Sequence, residues 1–167
     1  MTGRLRIIFF LAGVIPFLNA QEIPQVLQGR WRVARIIPTS TISCWGYAEA
    51  RTLIGTEIDY QANAFRWKDF SASHPGVAAS TLSAEQFHQE YSGRGAADSQ
   101  VSFAELGIRG PTILRITLTH PDANITGATV EIPGDEVFIK NRNTIVFSVC
   151  NVYFEAHRNH RKSATRR

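Results

Sequence analysis

A succession of short segments in which apolar and polar residues alternate, each cut off by a turn signal, restricts this chain more than any other feature. Thr112–Thr119 shows the pattern most plainly. Leu114, Ile116 and Leu118 fall on one face; Arg115, Thr117 and Thr119 fall on the other. His120-Pro121-Asp122 ends it. Further segments follow at Ala128–Ile132, Glu136–Lys140, Thr144–Val149 and Val152–Arg158, with Asn141-Arg142-Asn143 and Cys150-Asn151 as tight turns. Earlier in the chain, Thr56–Tyr60 and Ala64–Trp67 read as a hairpin about Ala62-Asn63. Asp69–Gly76 reads as a loop and Val77–Leu82 as a weak strand. The first strand is Gly29–Ile37, where Trp31, Val33 and Ile37 share a face and Arg35 interrupts it.

Helical signals are few. Tyr47–Leu53 has helix formers and Gly55 beyond it, a helix too short to stand without packing. Ser83-Ala84-Glu85-Gln86 matches a capping box and predicts a turn or two of helix through Phe87 and Tyr91. Ser102–Leu106 reads as a single helical turn, and Ser92–Gln100 as a loop. The expected fold is therefore all-β: an antiparallel up-and-down barrel of about eight strands with one or two short helices. Closure has a physical attraction, because it removes the edges that so many short strands would expose. Trp31, at the start of the first strand, is placed to plug one end.

Met1–Ala20 carries Arg4 and Arg6, an apolar run from Ile7 to Leu18, and Asn19-Ala20. That reads as a secretory signal peptide over residues 1–20, with an uncleaved anchor as the alternative. The run is interrupted by Gly13 and Pro16 and is short against the roughly 20 residues a span needs, and no later stretch is a candidate span. Residues 21–158 would form the barrel domain and residues 159–167 a disordered basic tail. The chain would be periplasmic or secreted. Its formal charge of +4 comes from its two ends, since residues 21–156 hold 11 basic and 14 acidic residues. The body is mildly acidic, which argues against nucleic acid as a partner. In an exported chain Cys44 and Cys150 are free to form a disulfide; two buried thiols are the other reading.

Catalytic templates are missing: there is no His-Glu-x-x-His, Gly-x-Ser-x-Gly, Walker loop or Cys-x-x-Cys. His157-x-x-His160 has metal-like spacing but lacks a third ligand nearby, so no metal or other cofactor is expected. His74 and His120, beside prolines, read as turn residues. On the last strand Tyr153, Glu155 and His157 share one face, and Val152, Phe154 and Ala156 share the other. The second set is the more apolar and is expected inside.

Leu27-Gln28-Gly29-Arg30-Trp31-Arg32-Val33 resembles the Gly-x-Trp opening of lipocalins. Leu53–Tyr60 looks like the helix-to-strand step of small bacterial lipocalin-like proteins, and Val152–Arg158 looks like their last strand. The resemblance spans about Leu27 to Arg158. It implies that Arg158 packs over Trp31. It also implies a binding protein, not an enzyme, whose partner is a small apolar ligand held in the barrel mouth. Trp45, Trp67 and Tyr153 are the side chains assigned to that ligand. The alternative is an envelope or secreted interaction or inhibitor protein acting through loops around a filled barrel. The sequence does not speak to oligomeric state. N-terminal sequencing of the protein exported from a bacterial host is expected to begin at Gln21; recovery of Met1 on the exported form would rule out cleavage.

Overall fold

The first strand forms where the alternation begins. β1 is Gly29–Ile37 in the computed structural model, which describes residues 21–40, 43–91, 101–120 and 131–159. The signal segment at 1–20, the Ser92–Gln100 loop, most of the Ala128–Ile132 segment and the tail beyond Asn159 fall outside the described residues. After β1 come α1 (Tyr47–Arg51), β2 (Glu57–Gln61), β3 (Ala64–Trp67), β4 (Phe70–Ser73) and β5 (Gly76–Ser83). Then follow α2 (Ala84–Tyr91), β6 (Thr112–Thr119), β7 (Glu136–Asn141), β8 (Thr144–Val149) and β9 (Val152–Arg158). The capping box opens α2 as its residues dictate. The Ser83 N–H donates to Gln86 Oε1 at 2.8 Å, and the Gln86 N–H donates to Ser83 Oγ at 3.2 Å.

The strands form one antiparallel sheet in the order β4-β3-β2-β1-β9-β8-β7-β6-β5. Every chain-consecutive pair is adjacent except β4 and β5, which lie at the two edges with only His74 and Pro75 between them. The chain's first and last strands pair in the middle, from Trp31↔Arg158 to Ile37↔Tyr153. The result is an up-and-down, half-barrel sheet of nine strands where about eight were expected. The additional strand is β4, inside the stretch that reads as a loop. Phe70 and Ala72 turn inward while Ser71 faces out, but four residues rich in serine carry little strand signal.

The concave side is filled with side chains. Trp31, Val33, Ile58, Tyr60, Phe65 and Phe154 are all buried there, with Ile116, Val137, Ile145, Phe147 and Ala156. Tyr60 stacks on Phe65 and Phe147 on Phe154, each pair 5.3 Å between centroids. The Tyr60 hydroxyl, also buried, donates to the Gly134 carbonyl at 2.7 Å, tying β2 to the turn before β7.

The convex side has a core of its own. α2 and the segment 101–108 lay Phe87, Val101, Phe103 and Leu106 over Ile37, Phe138, Val146 and Tyr153. A bulge in β1 divides its side chains between the two cores. Val33 faces Ala156, but the next partners are Arg35 and Glu155, so Ala34 is an extra residue. Without it Arg35 would point into the apolar interior beside Trp31 and Val33. With it, Arg35 and Ile37 turn to the convex face and Ile36 to the concave one. This corrects the expectation that Ile37 shares the face of Trp31, and it explains why Arg35 breaks the pattern.

Trp31 is wholly buried at one end, with its indole N–H donating to the Leu27 carbonyl at 2.7 Å. The Arg158 guanidinium lies 4.2 Å from the ring centroid, on the Trp31 face. Its N–H groups donate to three backbone carbonyls: Gln28, Val26 at 2.6 Å and Arg142 at 2.8 Å. Gly29 permits this approach. Its φ is +119°, and a Cβ there would stand 2.8 Å from Arg158 Nη1. Gly29→Ala is therefore expected to cost about 1–3 kcal/mol. Arg158→Leu, which strands three carbonyls, is expected to cost about 2–4 kcal/mol. Arg142→Gln, whose side chain takes no part, should stay within about 0.5 kcal/mol. Urea unfolding of the three variants measures the order.

Candidate functional site

At the end of β1 remote from Trp31, a disulfide sets the geometry. Cys44 and Cys150 are bridged, their Cα atoms 5.3 Å apart. Cys150 and Asn151 form the two-residue β8–β9 turn, with φ of +55° and +60°. The Cys44 N–H also donates to the Cys150 carbonyl at 3.3 Å. The loop after β1 is thereby pinned to the tip of the last hairpin, and Trp45 is held against the edge of the interior core. Such a bridge is compatible with an oxidising, extracytoplasmic compartment.

α1 follows at once. It buries Ala50, and Leu53 just beyond it, into the concave core. Its other side carries Tyr47, Arg51 and Ile54, at helical spacing of four and three residues. Tyr47 is 71% exposed and Ile54 40%, the two large apolar side chains among the described residues that face solvent. The Arg51 guanidinium lies 5.7 Å from the Tyr47 ring centroid. Between this side of α1 and the second half of β1 runs a cleft in two lobes that share Ile36, Pro38 and Tyr47. One lobe, of about 220 Å³, reaches Trp45, Ala50 and Val152. The other, of about 430 Å³, reaches Arg35, Arg51 and Ile54. The cleft is more apolar than polar and cationic at one end, and among the described residues no acidic side chain lines it.

The three side chains assigned to a ligand do not meet. Trp45 lines the cleft. Trp67 belongs to the row Arg158↔Trp31↔Ile58↔Trp67↔Phe70, at the plugged end. Lys68 stacks on it with Nζ 4.6 Å from the ring centroid, and its buried indole N–H has no acceptor among the described residues. Tyr153 faces the convex core, buried with Ile37 and Phe138, so it cannot contact anything held on the concave side. The register of β9 puts Phe154 and Ala156 inside and Tyr153, Glu155 and His157 outside.

Glu155 is the other charged feature of this region. It is only 7% exposed. Arg35 donates from Nη2 to Oε2 at 3.0 Å and from Nε to Oε1 at 3.3 Å. Lys140 Nζ donates to Oε2 at 2.8 Å, and His157 Nε2 lies 2.9 Å from Oε1. Burial alone would raise its pKa, but the hydrogen bonds from Lys140, Arg35 and His157 outweigh that and hold it down at about 2.

His120, read as a turn residue beside Pro121, stands just after β6, and the rest of that turn lies outside the described residues. The His120 ring is buried against Phe70, 4.8 Å between centroids, with Nε2 3.9 Å from Asp135 Oδ2. Burial pushes the Asp135 carboxyl up to about 6, against the pull of backbone N–H groups at Ile132 and Glu136. The sequence offered no local cue, because Phe65, Phe70 and Asp135 reach His120 only through the roll of the sheet. Tyr47 and Ile54 were legible in principle: with Arg51 between them they mark one stripe of a helix whose other stripe is Ala50 and Leu53.

Among the described residues no group of three His, Cys, Asp or Glu side chains is placed to hold a metal ion, and no helix is long and apolar enough to cross a membrane. Comparison with protein-family models, curated proteins and solved structures finds no match to this chain.

The Glu155 cluster has a pH signature. Its folded pKa lies below the ordinary carboxylate value, so its contribution is present above the unfolded pKa of about 4.5 and lost as pH falls toward about 2. Urea midpoints between pH 5 and pH 2.5 are expected to fall less steeply in Glu155→Gln than in the wild type. Equal slopes would mean the carboxylate is not held down.

Proposed function

We propose that this chain is an exported binding protein of lipocalin-like architecture that holds a small apolar ligand at one end of its barrel, in the cleft under α1. The observation that carries this reading is the two-lobed cleft meeting at Tyr47, the most exposed large apolar side chain of the described residues. Tyr47 and Ile54 expose contiguous apolar surface beside the cleft, the kind of patch that marks a ligand groove. The lobe volumes fall near the lower end of ligand sites, and the disulfide keeps the walls in place without a ligand. The Gly-x-Trp opening, the guanidinium over the indole and the up-and-down order support the architecture.

The packed interior adjusts the expectation. Trp31, Phe65, Phe147 and Phe154 occupy the lumen, so the ligand would sit at the mouth and not deep within it. The same filled interior favours a second reading, an interaction protein whose partner lays an apolar side chain over Tyr47 and Ile54.

Nile red, a neutral apolar dye, tests the first reading. The wild type is expected to bind it at one site with a rise in fluorescence. Combined Tyr47→Ser and Ile54→Ser should weaken binding about tenfold or more, in keeping with the apolar surface removed. A wild type that leaves the dye dark overturns the ligand reading, and binding untouched by the substitutions overturns its place at the mouth.

A further inference from the structure

A second cleft, of about 490 Å³ and mostly polar, opens on the convex face. Arg109, Thr112, Lys140, Thr144 and Glu155 line it, together with the backbone at Gly107. The pairings of β1 and β9 show a register shift between Val33 and Arg35 that turns Arg35 onto Glu155. Bulges of this kind re-aim side chains and recur next to functional sites. Lys140 needs no such shift: two residues after Phe138, it faces the convex side by the ordinary alternation of β7, and its ammonium also reaches Glu155. Two strands thus each deliver a cation to one nearly buried carboxylate.

The carboxylate is then full. Its two oxygens face four nitrogen atoms, from Arg35 twice, Lys140 and His157, which is about all that a carboxylate accepts. Glu155 has no capacity left for a ligand; its effect is to fix the cations. Lys140 uses one of its three N–H donors on Glu155. Gly107, with φ of +67°, lets the covering segment close on the ammonium, for a Cβ there would stand 3.1 Å from Nζ. Two permanent cations, Lys140 and Arg109, line the cleft with one anion, Glu155, whose charge Arg35 already pairs from outside it. The nearest acid on the covering segment, Glu105, is turned to Ser40 and Ser102, with hydrogen bonds of 3.0 and 2.9 Å from their hydroxyls. The cleft is left with surplus positive charge, spare N–H donors and Thr144, which shares the convex face with Val146.

We propose that this cleft binds a small oxyanion, the head group of a carboxylate or a phosphate ester, between Lys140 and Arg109 with Thr144 beside it. The site is separate from the cleft under α1 and does not depend on the reading given to that cleft.

Calorimetric titration of the full chain at constant ionic strength in chloride tests it, with inorganic phosphate and acetate as probes. One-to-one binding of phosphate alone supports a phosphate ester; binding of acetate supports a carboxylate. Arg109→Gln, at an exposed position, and Lys140→Gln are each expected to weaken binding about tenfold or more. Arg167→Gln removes the same charge from the basic end of the chain and should leave binding unchanged. Failure of both anions to bind the wild type overturns the proposal. So does equal weakening by Arg109→Gln and Arg167→Gln, which would mark diffuse attraction to a basic protein.

Discussion

The Arg158 guanidinium over the Trp31 indole is the contact on which the remaining structure depends. It joins residues 127 positions apart, at the register where the first and last strands pair. Nine short strands of four to nine residues could each fray alone, since a lone hairpin is marginal in water. Pairing β1 with β9 places the two ends of the chain in the middle of the sheet, flanked by four strands on one side and by three on the other. The indole fills the end of the interior while the guanidinium donates to three carbonyls of the surrounding backbone. Gly29 completes the arrangement by having no side chain where the guanidinium must lie.

The sheet is covered unequally. Among the described residues its concave face is packed, while α2 and residues 101–108 cover part of its convex face. Strands buried on both sides lose the plain alternation of a half-exposed sheet. That is why β8, Thr144–Val149, reads as a nearly continuous apolar run and why Tyr153 is buried although it faces outward. Where the convex cover ends, the side chains turn from apolar to charged, and the Arg35–Glu155–Lys140 cluster marks that border. A carboxylate so nearly buried is tolerable because cations meet it on both oxygens.

Much of this was legible beforehand. The bounds of β1, the Cys150-Asn151 turn and the capping box at Ser83 follow from spacing, and the inward set on β9 from its more apolar side. The pairing of Cys44 with Cys150 did not, because a sequence cannot supply a Cα distance. Of the side chains assigned to a ligand, Trp45 lines a cleft, Trp67 stands in the row of Trp31, and Tyr153 lies on the opposite face of the sheet. They were chosen as aromatic residues near one imagined mouth, and aromatic character does not say which end of a strand or which face of a sheet a ring occupies. Tyr47 and Arg35 do line the cleft under α1; Arg35 reads in the sequence only as a break in the β1 pattern, and Tyr47 only as the start of a short helix.

Local rules were sufficient wherever the determining contacts lie within a few residues. Alternation fixes which residues can share a face, a serine and a glutamine three apart close a helix start, and paired left-handed residues make a tight hairpin. The amino-acid sequence thus determined an all-β chain of short antiparallel strands with two small helices and a tryptophan-led opening. Only tertiary structure decided what each face meets. An extra residue in β1 reverses the side on which Arg35 and Ile37 emerge, and a covering segment far away in sequence buries the outer face of β9. Period two names two faces without saying which is inward, and a single bulge exchanges them. That choice depends on partners more than 100 residues distant, and no local pattern encodes it.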